Sequence, residues 1–163
     1  MSTHSEDEFA GALAHAIGHA ALRHGTRTAS RGQVTDLTGT PLVFMGWTGS
    51  HADSASSQLL VPLSFLELQR TYELEADRFG LELTSRSGYD ASAFLRYVER
   101  THPTDTKYSP LPGRDLRIAR IQETLASLPA ATRGASGDFD NVQERVRLRI
   151  EASERHHVPT LRR

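Results

Sequence analysis

The chain has 163 residues, no cysteine and a formal net charge of -1. Its length suits one domain able to bury a core without covalent staples. The missing cysteines exclude disulfides, a thiolate nucleophile and a cysteine-held zinc, so any metal must sit on His, Asp or Glu, and the near-neutral charge lacks the basic footprint of a nucleic-acid or anionic-lipid binder.

Met1 to Glu8 shows no basic start, apolar run or small-residue cleavage site of an export signal. The most apolar stretches, Pro41 to Trp47 and Leu59 to Leu68, are far shorter than the ~20 residues of a spanning helix, so a soluble chain without a membrane span is expected. Ser5 followed by Glu8 has the form of a capping box, and Phe9, Leu13 and Ile17 recur every four residues behind it. This predicts a first helix from Ser5 to His24 with that stripe as its apolar face and Gly25 as its stop. On this helix His15 and His19 lie about 40° apart around the axis, one turn from each other, so both imidazoles can reach one point in space. The run His15-Ala16-Ile17-Gly18-His19 fits the HExxH pattern in its two histidines. It departs from the pattern at Ala16, where the pattern's glutamate serves as general base.

Residues 26–58 are rich in Thr, Ser and Gly around one apolar island, Leu42 to Trp47, and predict a long irregular connection of the lid or plug kind. From about Pro62, the spacing of Phe65, Leu68, Tyr72, Ala76, Phe79 and Leu83 predicts a second helix ending at Gly88. That helix carries Glu73 and Asp77 at the border of its apolar stripe, whereas Glu75 takes a more solvent-facing position. Asp90 is the expected N-cap of a short third helix holding Phe94, Leu95 and Val98, which His102-Pro103 ends. Thr101 to Gly113, with three prolines, reads as loop. A fourth helix near Asp115 to Leu128 buries Ile118, Ile121, Leu125 and Leu128, and Asp138 caps a fifth that turns Phe139, Val142, Val146 and Ile150 inward. No strand and no internal repeat is predicted, and the tail 155–163 is expected to fray. The expected fold class is mainly α, a single domain over 1–163 with a helical core from about residue 5 to 154.

An open zinc site with two histidines wants a third protein ligand, and a carboxylate from another helix is a usual solution. Glu73 supplies one, and Asp77, one turn further along the same face, can accept the far N–H of a zinc-bound imidazole and fix its tautomer. Rival chemistries are weaker: the chain has no Gly-x-Ser-x-Gly elbow, no glycine-rich phosphate loop and no Walker lysine. His156-His157 reads as solvated tail, and the Arg and Glu alternation from Glu144 to Arg155 as an exposed helix face.

The run Glu8 to Arg27, EFAGALAHAIGHAALRHGTR, resembles the active-site helix of the HtpX and CAAX-prenyl-protease family of zinc peptidases, family forty-eight of the metallopeptidases. Arg70 to Gly80, RTYELEADRFG, followed by Ser87-Gly-Tyr-Asp90, is similar to that family's Glu-x-x-Ala-Asp helix and the Gly-Tyr-Asp turn after it. Thr40 to Trp47 and Asp138 to Val142 are similar to soluble bacterial members, and together the matches run from about residue 6 to 150. The resemblance implies a zincin-type domain with two metal-bearing helices, metalloendopeptidase activity on a polypeptide, and one Zn2+ held by His15, His19 and Glu73 with water as fourth ligand. Asp77 would support a ligand histidine, and His24, which also matches the family pattern, would pack or hydrogen-bond rather than ligate.

The resemblance also marks three departures. Ala16 stands where the general base would be, so metal binding with little or no hydrolysis is expected. The family's His-Pro motif precedes a late arginine by a few residues, whereas here His102-Pro103 is distant from Arg117 and Ser109-Pro110 stands nearer, which leaves His102 a minor candidate for the site. Strands upstream of the zinc helix, which in the family hold an extended substrate, are expected to be missing because the chain opens on that helix. Two functions stay open: a metallopeptidase impaired at its base, and a non-catalytic pseudopeptidase that keeps zinc as a binding module. Ala16 reads equally as a natural loss and as an introduced change. Relatives of this soluble type are often in the bacterial envelope, and this sequence carries no address of its own.

Overall fold

A computed structural model of the chain describes residues 3–31, 42–45, 59–103, 109–134 and 138–156. Among these the elements run α1 (Glu6–Ala21), α2 (His24–Arg31), β1 (Leu42–Met45), β2 (Leu59–Pro62), α3 (Leu63–Arg86), α4 (Ser92–Thr101), α5 (Arg114–Leu125) and α6 (Phe139–His156). The fold is mainly α, as the apolar periodicities predict. None of the described helices is long and apolar enough to cross a membrane.

The start of α1 follows its sequence signal with one change. Ser5 Oγ accepts from the Glu8 N–H at 3.2 Å, but the Glu8 carboxylate reaches back to the His4 N–H at 2.7 Å. It is also gripped from α4, where Arg100 donates to both of its oxygens at 3.0 and 2.6 Å. That guanidinium, followed by the His4 amide, holds the buried Glu8 carboxyl below its ordinary 4.5. A depressed carboxyl contributes stability above pH 4.5 and loses it as the pH falls further. The gap in thermal midpoint between the wild-type chain and Glu8→Gln is therefore expected to be widest near neutral pH and to close below 4.5.

The face that α1 buries differs from the expected one. Glu8, Gly11, Ala14 and Gly18 are buried, whereas Phe9, Leu13 and Ile17 remain 39%, 49% and 43% exposed. The reason is the closeness of α1 and α3: a Cβ added to Gly80 would lie 2.8 Å from the His15 backbone nitrogen, and one on Gly18 would lie 3.1 Å from the Ala76 carbonyl oxygen. Only small residues allow two helices to approach so closely, so they take the packed face and the large apolar side chains are left outside. There Phe9, Leu13 and Ile17 line a groove of about 550 Å³ with Phe139, Val142 and Val146 of α6. The expected inward turn of α6 is likewise corrected, since Val142, Val146 and Ile150 are 48%, 37% and 51% exposed. The helix meets the rest of the chain where the Phe139 ring lies 6.2 Å from that of Phe9 and where Gln143 donates to the Thr3 carbonyl at 2.9 Å. Gly80→Ala is expected to cost about 1–3 kcal/mol of stability by overpacking, measured by chemical denaturation. Gly25→Ala, where nothing lies within 4 Å, should cost nothing.

Leu81, Ala91, Phe94, Val98 and Ile121 form the core between α3, α4 and α5, with Leu125 and Leu128 packed at its edge. The end of α3 follows the sequence: Gly88 has φ 85°, and the Tyr89 N–H bonds back to the Thr84 carbonyl at 3.2 Å. The N-cap of α4 is Ala91 rather than the expected Asp90; Asp90, one residue earlier, accepts from the Ser92 N–H and hydroxyl at 2.9 and 2.6 Å.

Two further boundaries differ from expectation. The first helix stops at Ala21 and a second begins at His24, because Arg23 adopts a left-handed φ of 58°; Gly25, the expected stop, lies inside α2. The connection after it contains strands that no periodicity announced. β1 and β2 pair antiparallel, from Leu42 opposite Pro62 to Met45 opposite Leu59. Four apolar residues are too few to show a period, and their partner lies more than a dozen residues away in sequence. Both strands follow α1, so they are not the upstream strands of the family pattern, and β2 runs directly into α3.

Candidate metal centre

α1 presents His15 and His19 to α3, which presents Glu73 and Asp77, across the glycine-lined contact just described. Nε2 of His15 and Nε2 of His19 are 3.2 Å apart. Glu73 approaches the first with Oε2 at 3.6 Å and the second with Oε1 at 3.3 Å. Three donors bound tetrahedrally at zinc distances would stand about 3.3 Å from one another, which the 3.2 Å between the two nitrogens and the 3.3 Å from His19 to Glu73 Oε1 match. Among the described residues, these three are the group of His, Asp and Glu side chains that could hold a metal. Burial pushes the Glu73 carboxyl up, but His19, His15 and Arg117 outweigh it and the net shift is downward. Glu73 is thus an anion at neutral pH, the form a cation needs.

Behind His15 stands Asp77, whose Oδ1 lies 2.8 Å from Nδ1 of the ring. Asp77 is only 2% exposed, and its charge is met by Arg117 of α5, which donates from Nε at 2.7 Å and from Nη2 at 2.8 Å. Burial raises the Asp77 carboxyl, and the Arg117 fork with His15 more than reverses that. The same guanidinium is 3.6 Å from Glu73, so one arginine faces both carboxylates of the site.

Behind His19 stands His24, which is 3% exposed. Its Nδ1 is 3.0 Å from Nδ1 of His19 and its Nε2 is 3.1 Å from Oε2 of Glu75. Burial pulls the His24 ring below the usual imidazole range despite Glu75, which keeps it neutral. His102 is not brought into the cluster: it ends α4, with Nδ1 2.8 Å from the Pro103 carbonyl oxygen.

A family model described as peptidase family M48 matches residues 1–125. The chain belongs to peptidase family M48. No curated protein and no solved structure gave a match. The M48 match spans α1 to α5, hence both histidines, Glu73, Asp77 and Arg117, and it ends before α6 and the Asp138 to Val142 resemblance. M48 peptidases are in general zinc-dependent, and His15, His19 and Glu73 of this M48 chain form a cluster that could hold a metal ion.

Its departures from the M48 pattern are also located. Ala16 is exposed, a methyl group next in sequence to His15. Ser109-Pro110 is held to α3 by Arg70, whose Nε donates to the Ser109 carbonyl at 3.2 Å. Two residues that support this cluster are not among those the sequence singles out for it. Arg117 stands in the sequence only as the late arginine compared with the family's His-Pro motif; its pairing with Asp77, which a buried carboxylate requires, spans forty positions and has no local signal. Glu75 was placed on the solvent side, yet it accepts from both His24 and Arg27. No local signal marks it, since its partners are reached only through the break at Arg23.

Proposed function

We propose that this single domain over residues 1–163 is a zinc metalloendopeptidase domain in which His15, His19 and Glu73 hold one Zn2+, and whose hydrolytic step is weak or lost because Ala16 replaces the general base. The observation that carries this reading is the closeness of the donors: the two Nε2 atoms are 3.2 Å apart, and the Glu73 carboxylate lies 3.3 Å from that of His19 through Oε1 and 3.6 Å from that of His15 through Oε2. Zinc in such a site supplies Lewis-acid polarisation of a carbonyl and a more acidic water. The chain's own residues prepare for it. His15 offers Nε2 while its Nδ1 faces Asp77, which fixes tautomer and ring orientation. Arg117 neutralises the carboxylate side, so Glu73 and Asp77 stay ionised beside each other. The missing function is proton transfer: at position 16 no carboxylate takes a proton from attacking water and hands it to the leaving amine.

A pseudopeptidase that retains zinc to shape a polypeptide-binding module is the second reading. It is favoured by the combination of an intact ligand set, with its buried Asp77–Arg117 support, and an exposed alanine in the place of the base. Both readings require the metal. Elemental analysis after chelator-free purification is expected to find one zinc per chain, and His19→Ala and Glu73→Ala to abolish it. Absence of zinc in the wild-type chain, even after incubation with zinc salt, would remove the site.

A further inference from the structure

Residues 19 and 24 would stand about 140° apart around a continuous helix and could not touch. The left-handed turn at Arg23 folds His24 back against His19, so that their Nδ1 atoms are 3.0 Å apart. Two ring nitrogens at that distance bond only if one carries hydrogen and the other does not. The Nε2 of His19 faces Glu73 and His15. A ring that offers that lone pair to a cation keeps its hydrogen on Nδ1. His19 then donates to His24, the His24 hydrogen moves to Nε2, and Nε2 donates to Glu75 Oε2 at 3.1 Å. Arg27 completes the series by donating to the same oxygen at 2.8 Å. Each bond in this series has one donor and one acceptor, and the direction of all of them follows from the tautomer of His19.

We propose that His24, Glu75 and Arg27 form a positioning relay for His19, the counterpart of the Asp77–Arg117 pair behind His15. The inference rests on the zinc reading given above. Each ligand histidine is thereby backed by a carboxylate that an arginine anchors, directly for His15 and through a second imidazole for His19. The second imidazole is itself held rigidly: His24 lies flat on the Tyr72 ring, centroids 4.4 Å apart and planes at 6°, and the Arg27 guanidinium covers the same ring at 4.4 Å.

The test is the zinc dissociation constant, measured by competition with a chromophoric chelator on the full chain, together with the visible absorption spectrum of the Co2+-loaded protein. His24→Ala is expected to weaken zinc binding about 10- to 100-fold and to alter the Co2+ bands. His24→Asn, whose short amide can accept from His19 Nδ1, is expected to recover most of that loss, and Glu75→Ala to weaken binding in the same direction by less. An asparagine variant no better than the alanine one would reduce the effect to lost packing and overturn the relay. So would wild-type affinity in both His24→Ala and Glu75→Ala; should His24→Ala not fold, Glu75→Ala, at a partly exposed carboxylate, decides alone. A wild-type chain that binds no zinc would instead overturn the reading of the site itself.

Discussion

The Ala16→Glu variant is expected to hydrolyse an unfolded protein substrate about 10²- to 10⁴-fold faster than the wild-type chain, at unchanged zinc content. The expectation comes from what is present and what is absent at one helix turn. On the proposed reading, His15, His19 and Glu73 bring donor atoms close enough to share one ion, and the base is no ligand, so an alanine in its place leaves the donor set unchanged. Ala16 is exposed, so a longer side chain enters there without displacing the packed face of α1 against α3. Release of new amino termini from a fluorescently labelled casein-like substrate measures it, with the His19→Ala/Ala16→Glu double variant as the inactive control. A revertant that holds zinc and still releases nothing would mean that the base is not the only missing part, and the pseudopeptidase reading would then be preferred.

Arg117→Met is expected to be the most destabilising of the substitutions considered, at about 3–5 kcal/mol. The figure reflects the charge left behind more than the bond lost: Asp77 is 2% exposed and would retain only His15. Against the 5–15 kcal/mol that holds a typical domain together, this is enough to shift the denaturation midpoint far down. With the guanidinium removed, only His15 is left to oppose the burial that pushes the Asp77 carboxyl up, so the carboxyl rises relative to the wild-type chain. The gap in stability between this variant and the wild-type chain is therefore expected to be widest near neutral pH and to narrow toward acid pH, as for Glu8. Asp77→Asn combined with Arg117→Met should cost less than Arg117→Met alone, because the stranded charge is gone. A simple sum of the two single costs would argue against the buried pair.

Much of this architecture is legible in the sequence. Ser5 and Glu8 opened the first helix, Gly88 closed α3, and the spacings of His15, His19, Glu73 and Asp77 placed four polar side chains at two helix surfaces that could face one another. The apolar stripes were less informative, for a definite reason. Periodicity shows that a helix has an apolar side; it does not show which side a neighbour takes. Where Gly11 admits Phe94 of α4, and Ala14 and Gly18 let α3 come close, the small face is buried and Phe9, Leu13 and Ile17 are left to line the groove with α6. The same holds for α6, whose stripe is real and stays largely exposed.

The sequence alone therefore determined the chemistry on offer: a cysteine-free donor set, two histidines one helical turn apart, an acid pair on a second helix, and a methyl group in place of the base. These are properties of residue identity and local spacing, which a regular helix converts into geometry without help. Only the tertiary structure decided how the donors are supported. Arg117 reaches Asp77 across forty positions, and His24 reaches His19 and Glu75 because one residue, Arg23, leaves the helical conformation. Such partners are selected by the charge and hydrogen-bonding demands of buried groups, and those demands arise only once the helices have packed.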